Sequence, residues 1–304
     1  MIRLFPVMMF ILLGISNGFS QITTQEITIQ NQAIQLPGTL SYPAENSPLI
    51  IWVHGSGGVD RYGNQPQYIQ QFRTAVNKEK IAFFSYDKRT ANPNNRAFLK
   101  EGVLFNDFIL DVKEVVNHFK NDTRFNSITL VGHSQGSLTA MMALKNVDNY
   151  ISIAGAGETI DKILIKQLRA QSLEYANIAK AHFKELKETG SIKEVNPNLM
   201  AIFAKPNQEF WSSWIAVDPI KALKKITIPT LIINGDKDIQ VGVENASKLK
   251  AVKPNASYAI IQNMNHILKD IQKEADNIKS YNSPEFPVSK QLIETIVSFI
   301  KKQP

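Results

Sequence analysis

Ser127-Ile128-Thr129-Leu130-Val131 runs directly into Gly132-His133-Ser134-Gln135-Gly136, and then into Leu138-Thr139-Ala140-Met141-Met142-Ala143-Leu144. A short β-prone apolar run, a G-x-S-x-G turn and a helix-forming run together read as a strand-to-helix elbow. Such an elbow lifts a serine hydroxyl clear of a sheet. Both glycines have a steric reason. The turn forces Ser134 toward strained backbone angles, and a side chain at 132 or 136 would crowd the strand or helix beside it.

Outward from that turn the chain alternates. Glu26 to Gln30 and Ala33 to Tyr42 read as an antiparallel pair about Asn31-Gln32. Short apolar runs follow at Leu49–Val53, Ile81–Tyr86, Ser127–Val131, Tyr150–Ala154, Thr230–Asn234 and Tyr258–Ile261. Runs of this kind suit strands covered on both faces. Helices are expected at Gln67–Lys78, Val103–Phe119, Gln135–Lys145, Val243–Ala251 and Ser289–Lys301. The rhythm predicts an α/β fold, a mostly parallel sheet with helices on both faces and right-handed crossovers. It breaks once, where about 75 residues separate Ala154 from Thr230, far more than a crossover needs. Helical spacing of Ile160, Leu164 and Leu168, then of Ala176, Ala179, Phe183 and Leu186, predicts a helical cap insertion over about 157–222. Phe203, Phe210, Trp211 and Trp214 are expected mostly to fill that insertion's own core, with one or two facing a substrate pocket.

Met1-Ile2-Arg3, the apolar run Leu4 to Ile15 and Gly18-Phe19-Ser20 have the form of a signal peptide over 1–20, cleaved after Ser20. The apolar run is short for a membrane span. The expectation is export to a periplasmic or secreted destination, with residues 21–304 as one domain and no stable membrane anchor after cleavage. The chain has no cysteine, so neither disulfide nor lipid-bearing thiol is available. The net charge of +7 is carried by lysines interspersed with acids, as in Lys184-Glu185-Leu186-Lys187-Glu188, which argues against nucleic-acid binding. No H-E-x-x-H, paired histidines or dinucleotide loop points to a metal or cofactor, and Gly55-Ser56-Gly57-Gly58 lacks the ending of a phosphate loop.

A serine hydroxyl needs a base, usually an imidazole oriented by a carboxylate, and in this architecture the order is Ser, acid, His. Two histidines follow Ser134. His182 falls mid-helix in the insertion, where a partly exposed surface histidine is expected. His266 follows the last strand directly and is the expected base. The acid should follow Thr230–Asn234, where Asp236 and Asp238 compete and spacing does not choose between them. Negative charge on the substrate oxygen needs two backbone N–H donors. Gln135 offers one at the start of the helix, and the glycine-rich loop His54-Gly55-Ser56-Gly57-Gly58 should offer the other. His54 and His133 are read as structural.

The chain resembles the α/β-hydrolase superfamily, and more narrowly a group of bacterial carboxylesterases. The likeness rests on His54-Gly55-Ser56-Gly57, Asp60-Arg61, Tyr86-Asp87-Lys88-Arg89, the Gly-x-x-Asp-x-Gln-Val of Gly235 to Val241, and Asn265-His266. It runs from about Ile34 to the C-terminus. The resemblance implies the α/β-hydrolase fold and a catalytic set of Ser134, Asp238 and His266. It makes Ser56 the second oxyanion donor, with Gly57 as the alternative, and implies cleavage of small-molecule carboxylic esters through an acyl-enzyme. An amidase or aminopeptidase on the same scaffold is the nearest rival, with Glu158, Asp161, Glu174 and Glu185 available to hold an amino terminus. A non-catalytic binding module is the other.

Overall fold

The computed structural model describes residues 22–303, so the leader expected over 1–20 lies outside the described residues. Strands β1 (Thr23–Asn31), β2 (Ile34–Tyr42), β3 (Ser47–Val53), β4 (Ala82–Tyr86), β5 (Phe125–His133), β6 (Asn149–Ile153), β7 (Thr230–Gly235) and β8 (Ser257–Ile261) form one sheet in the order β1-β2-β4-β3-β5-β6-β7-β8. The β1–β2 and β2–β4 pairs are antiparallel, and every later pair is parallel.

The apolar runs lie in the interior because period-2 alternation sends their side chains to two different cores. Leu49, Ile51, Val53, Phe84, Leu130 and Ile232 point to one face. That face is covered by α2 (Phe105–Phe119) and α3 (Gln135–Met141), and further along by α8 (Pro219–Lys224) and α9 (Val243–Val252). Ile50, Trp52, Phe83, Val131, Ile151 and Ile233 point to the other, under α1 (Tyr68–Lys78) and the C-terminal helix α11 (Lys290–Lys301).

Between β6 and β7 lie α4 (Ile160–Gln171), α5 (Leu173–Thr189), α6 (Met200–Phe203), α7 (Lys205–Ile215) and α8 (Pro219–Lys224). Leu168, Ala176, Ala179, Phe183, Leu186 and Phe203 give this segment a small core of its own. After β7 come α9 (Val243–Val252), α10 (Asp276–Ser280) and α11 (Lys290–Lys301). Among the described residues no helix is long and apolar enough to cross a membrane.

Five helix boundaries differ from expectation, α9 and α11 by one residue each, and the other three have a local reason. Helix α2 begins at Phe105 rather than Val103 because the Asp107 carboxylate accepts the Leu104 N–H at 2.7 Å and caps the first turn. Gln67 has φ 49°, outside a right-handed helix, so α1 starts one residue later. Helix α3 stops at Met141, where the Met142 and Ala143 amides bond back three residues and close the last turn.

The chain reverses direction across the sheet at β3, with β4 on one side and β5 on the other. The carboxyl ends of strands at such a switch point are where α/β sheets bind ligands. Here they bring the loop after β3 beside the turn after β5.

Candidate active site

Ser134 sits at the elbow with φ 54° and ψ −119°, a strained conformation held by its N–H bonding to Ile153 O at 2.9 Å. The two glycines do what the sequence asked of them. A Cβ on Gly132 would lie 2.3 Å from Gly136 O, and one on Gly136 would lie 2.1 Å from Val53 O. The glycine-rich loop passes close by: a Cβ on Gly55 would come within 3.3 Å of the Ser134 Cβ.

On the far side of the sheet's carboxyl edge, His266 Nδ1 donates to Asp238 Oδ2 at 2.8 Å. The Asp238 side chain is fully buried, and its other oxygen accepts the Gln240 and Val241 amides, each at 2.8 Å. Asp236, the competing acid, is exposed, and among the described residues it makes only a backbone bond to Ile261. Spacing left both open because the turn after Gly235 is short, and only its path decides which carboxylate faces inward.

The loop carrying His266 is anchored from beneath. Asn265 Nδ2 donates to Asn277 Oδ1 and Ser280 Oγ. The buried Lys269 ammonium reaches Pro66 O, Gln71 Oε1 and Phe286 O at 2.6–2.9 Å. Burial lowers the Lys269 pKa to about 8. Sequence reasoning did not single out Lys269, since a lysine in a loop gives no sign of burial.

Ser134 lies between two cavities that share Ser56, Ser134 and Gln240 in their walls. One, of about 320 Å³, is lined by Gly55, Tyr68, His266 and Tyr281. The other, of about 190 Å³, is lined mainly by apolar side chains, among them Leu138, Ile163, Leu164, Trp211 and Trp214, with Glu158 and Gln167 also in its wall. Two of the four aromatics flagged in the insertion thus face the serine. Phe203 fills the core of that segment, and Phe210 packs edge-on against Phe108. Ser56 is in both walls, while Gly57, the alternative donor, is in neither. Gln135 is buried at the start of α3.

His54 and His133 are buried and stay neutral. Desolvation, with the nearby Lys88 and His266 respectively, lowers each to a pKa of about 3. His54 Nε2 bonds Tyr86 O, and His133 Nε2 donates to His266 O at 2.7 Å, so both hold loops at the site. His182 departs from expectation. It is buried against Phe203, and its Nε2 accepts the Asn196 amide at 3.2 Å.

The strand end Tyr86-Asp87-Lys88-Arg89 also has a physical account. Asp87 pairs with Arg61 at 2.9 Å, and Arg89 pairs with the buried Asp111 on α2 at 2.7 Å. Lys88 turns inward between them, donating to Gly55 O and to Gln135 Oε1, both at 2.6 Å.

This fold and this elbow define an α/β hydrolase. Within that class the chain belongs to the BD-FAE family, whose model matches residues 34–252. It is 25% identical over 281 residues to esterase EstD of Thermotoga maritima, covering 88% of this chain; it spans 66% of EstD's own length. The Pyrococcus furiosus esterase Pf2001 superposes with a TM-score of 0.61 at 18% identity, covering 92% of this chain and 91% of that one. Est1E from Butyrivibrio proteoclasticus, solved with ferulic acid bound, superposes with a TM-score of 0.60 at 18% identity, covering 91% of this chain and 100% of that one.

Proposed function

We propose that the protein is an exported serine carboxylesterase acting on esters of small apolar acids, single-ring aromatic acids included. The observation that carries the reading is the buried 2.8 Å contact of Asp238 Oδ2 with His266 Nδ1 beside the strained Ser134. In this reading Ser134 Oγ attacks the acyl carbonyl while His266 Nε2 takes its proton. The carbonyl π pair moves onto oxygen, facing the Ser56 and Gln135 N–H groups. Collapse breaks the ester C–O bond, and His266 returns the proton to the leaving alcohol. Water activated by His266 then releases the acid from Ser134. Asp238 fixes the ring's tautomer and stabilises the imidazolium.

The substrate class comes from the two cavities. The apolar one is about 190 Å³, room for roughly six waters at about 30 Å³ each. That suits a short acyl chain or one aromatic ring between Trp211 and Leu138. Ferulic acid bound to Est1E supports an aromatic acid on this fold. EstD and Pf2001, both named as esterases, support ester cleavage.

The peptidase alternative loses support at the carboxylates it needs. Glu158 is bridged by Lys166 and Lys248, Asp161 by Lys187 at 2.5 Å, and Glu174 is exposed away from the site. Glu185 accepts the Lys193 amide. Of the four, only Glu158 reaches the cavity beside Ser134, and its charge is already met by two lysines.

The test is hydrolysis of p-nitrophenyl acetate by the wild type and by Ser134→Ala. A loss of about 10⁶-fold in kcat is expected on removal of the nucleophile; a variant with near-wild-type turnover ends the reading. Export is tested separately: the mature protein recovered from outside the cytoplasm should begin at Gln21, and recovery of an uncleaved chain inside the cell counts against it.

A further inference from the structure

Lys88 is 4% exposed, yet among the described residues no carboxylate bonds its ammonium. Its partners are two neutral oxygens, with the Phe108 ring 4.4 Å away. Asp111, the acid that acts on it from α2, is committed to Arg89 and Asn31. Arg89 is a like charge with its own acids, Asp111 and Asp107. His54, the titratable group facing it from the loop after β3, is neutral. A buried ammonium without a counter-ion is costly, and a structural link between two loops could be made by neutral groups.

What Lys88 touches gives the reason. Gly55 O and the Ser56 N–H are the two ends of one amide. A cation on the carbonyl oxygen draws electrons through the peptide bond, makes the Ser56 N–H a stronger donor and fixes the plane of the amide. The same ammonium holds the side chain of Gln135, whose backbone N–H is the other donor. One group therefore ties together loops that follow two different strands.

We propose that Lys88 is a positioning residue of the oxyanion hole, aligning and polarising both donor arms and supplying the buried positive charge that the oxyanion completes. This rests on the esterase reading above. Burial lowers the Lys88 pKa to about 7, so much of the free enzyme is neutral there slightly above neutral pH. An oxyanion formed nearby pulls the proton back.

The experiment uses the full mature enzyme and a trifluoromethyl ketone. Ser134 adds to the ketone carbon, its proton passes to His266, and the ketone oxygen becomes an oxyanion. That exchange is neutral in protons, so any net uptake comes from another group. Calorimetry at pH 8.5 in two buffers of different ionisation enthalpy should show uptake of close to one proton by the wild type. Ser134→Ala should show neither tight binding nor uptake. In Lys88→Met the uptake should vanish. Its kcat for p-nitrophenyl acetate should fall about 10–100-fold, somewhat less than loss of a whole donor, with KM within threefold and the ketone's Ki raised by the same factor as kcat falls. Lys88→Gln, which keeps N–H donors without charge, should lie between.

Tight ketone binding through Ser134 with no proton uptake overturns the inference while leaving the esterase reading intact. So does a folded Lys88→Met enzyme with kcat within threefold of the wild type. A wild type that neither cleaves the ester nor binds the ketone defeats the esterase reading itself. Should Lys88→Met fail to fold, the wild-type proton count and Lys88→Gln decide the matter alone.

Discussion

Two aspartates two residues apart have very different surroundings. The Asp238 side chain is fully buried, with both oxygens occupied, one by His266 and the other by two amides. Asp236 faces solvent. Asp238→Asn should therefore lower kcat by about 10⁴-fold through the wrong imidazole tautomer, while Asp236→Asn should stay within threefold of the wild type. Steady-state kinetics on p-nitrophenyl acetate checks the ranking, and the reverse order would move the acid to 236. The sequence made Ser134 and His266 readable because each directly follows a strand in a motif with few alternatives. It could not separate the two aspartates without resemblance, and it hid Lys88 and Lys269, whose roles arise from burial by segments distant in the chain.

At the level of elements, the β5–α3 turn is packed too closely for anything but glycine. A Cβ on Gly136 would meet Val53 O at 2.1 Å. Gly136→Ala should lower stability by about 1–3 kcal/mol or more as β3 is pushed away, and should impair activity because the same movement displaces Ser56. A denaturant midpoint measured beside kcat checks both, and an unchanged midpoint would contradict the packing. Trp211 is half-buried in the wall of the apolar cavity, unlike the fully packed Trp214. Trp211→Ala should thus enlarge the cavity at modest cost in stability and raise the octanoate-to-acetate rate ratio at least tenfold; an unchanged ratio would take Trp211 out of the acyl site. Strand and helix positions were legible because apolar runs and periodicity carry them. Their ends were not, since the Asp107 cap and the left-handed Gln67 are side-chain and backbone details that periodicity does not see. The burial of His182 depends on how α5 meets α6, which no local pattern encodes.

For the whole molecule, buried neutral histidines set the response to acid, and His182, lowered by desolvation, acts in the same direction as His54 and His133. His54 and His133 have folded pKa values of about 3, below the usual 6.5. Between those limits the unfolded chain binds more protons than the folded one, so stability falls as pH drops below about 6.5 and goes on falling toward 3. Each contributes a slope of about 1.4 kcal/mol per pH unit across that window. Urea midpoints at pH 7, 6 and 5 should decline steadily, and His54→Gln should remove a clear share of the slope in this range; flat midpoints down to pH 5 would contradict the neutral assignment. Lys88, lowered to about 7, acts at the other end, and stability should rise with pH from there toward 10.5. The measurement that bears most directly on the proposed chemistry is covalent labelling. The intact enzyme is treated with a fluorophosphonate and the adduct is located by peptide mass spectrometry. The expected result is a single phosphonyl group on Ser134, formed far more slowly in His266→Ala; a label on another residue, or none under conditions that modify a control serine esterase, would contradict it.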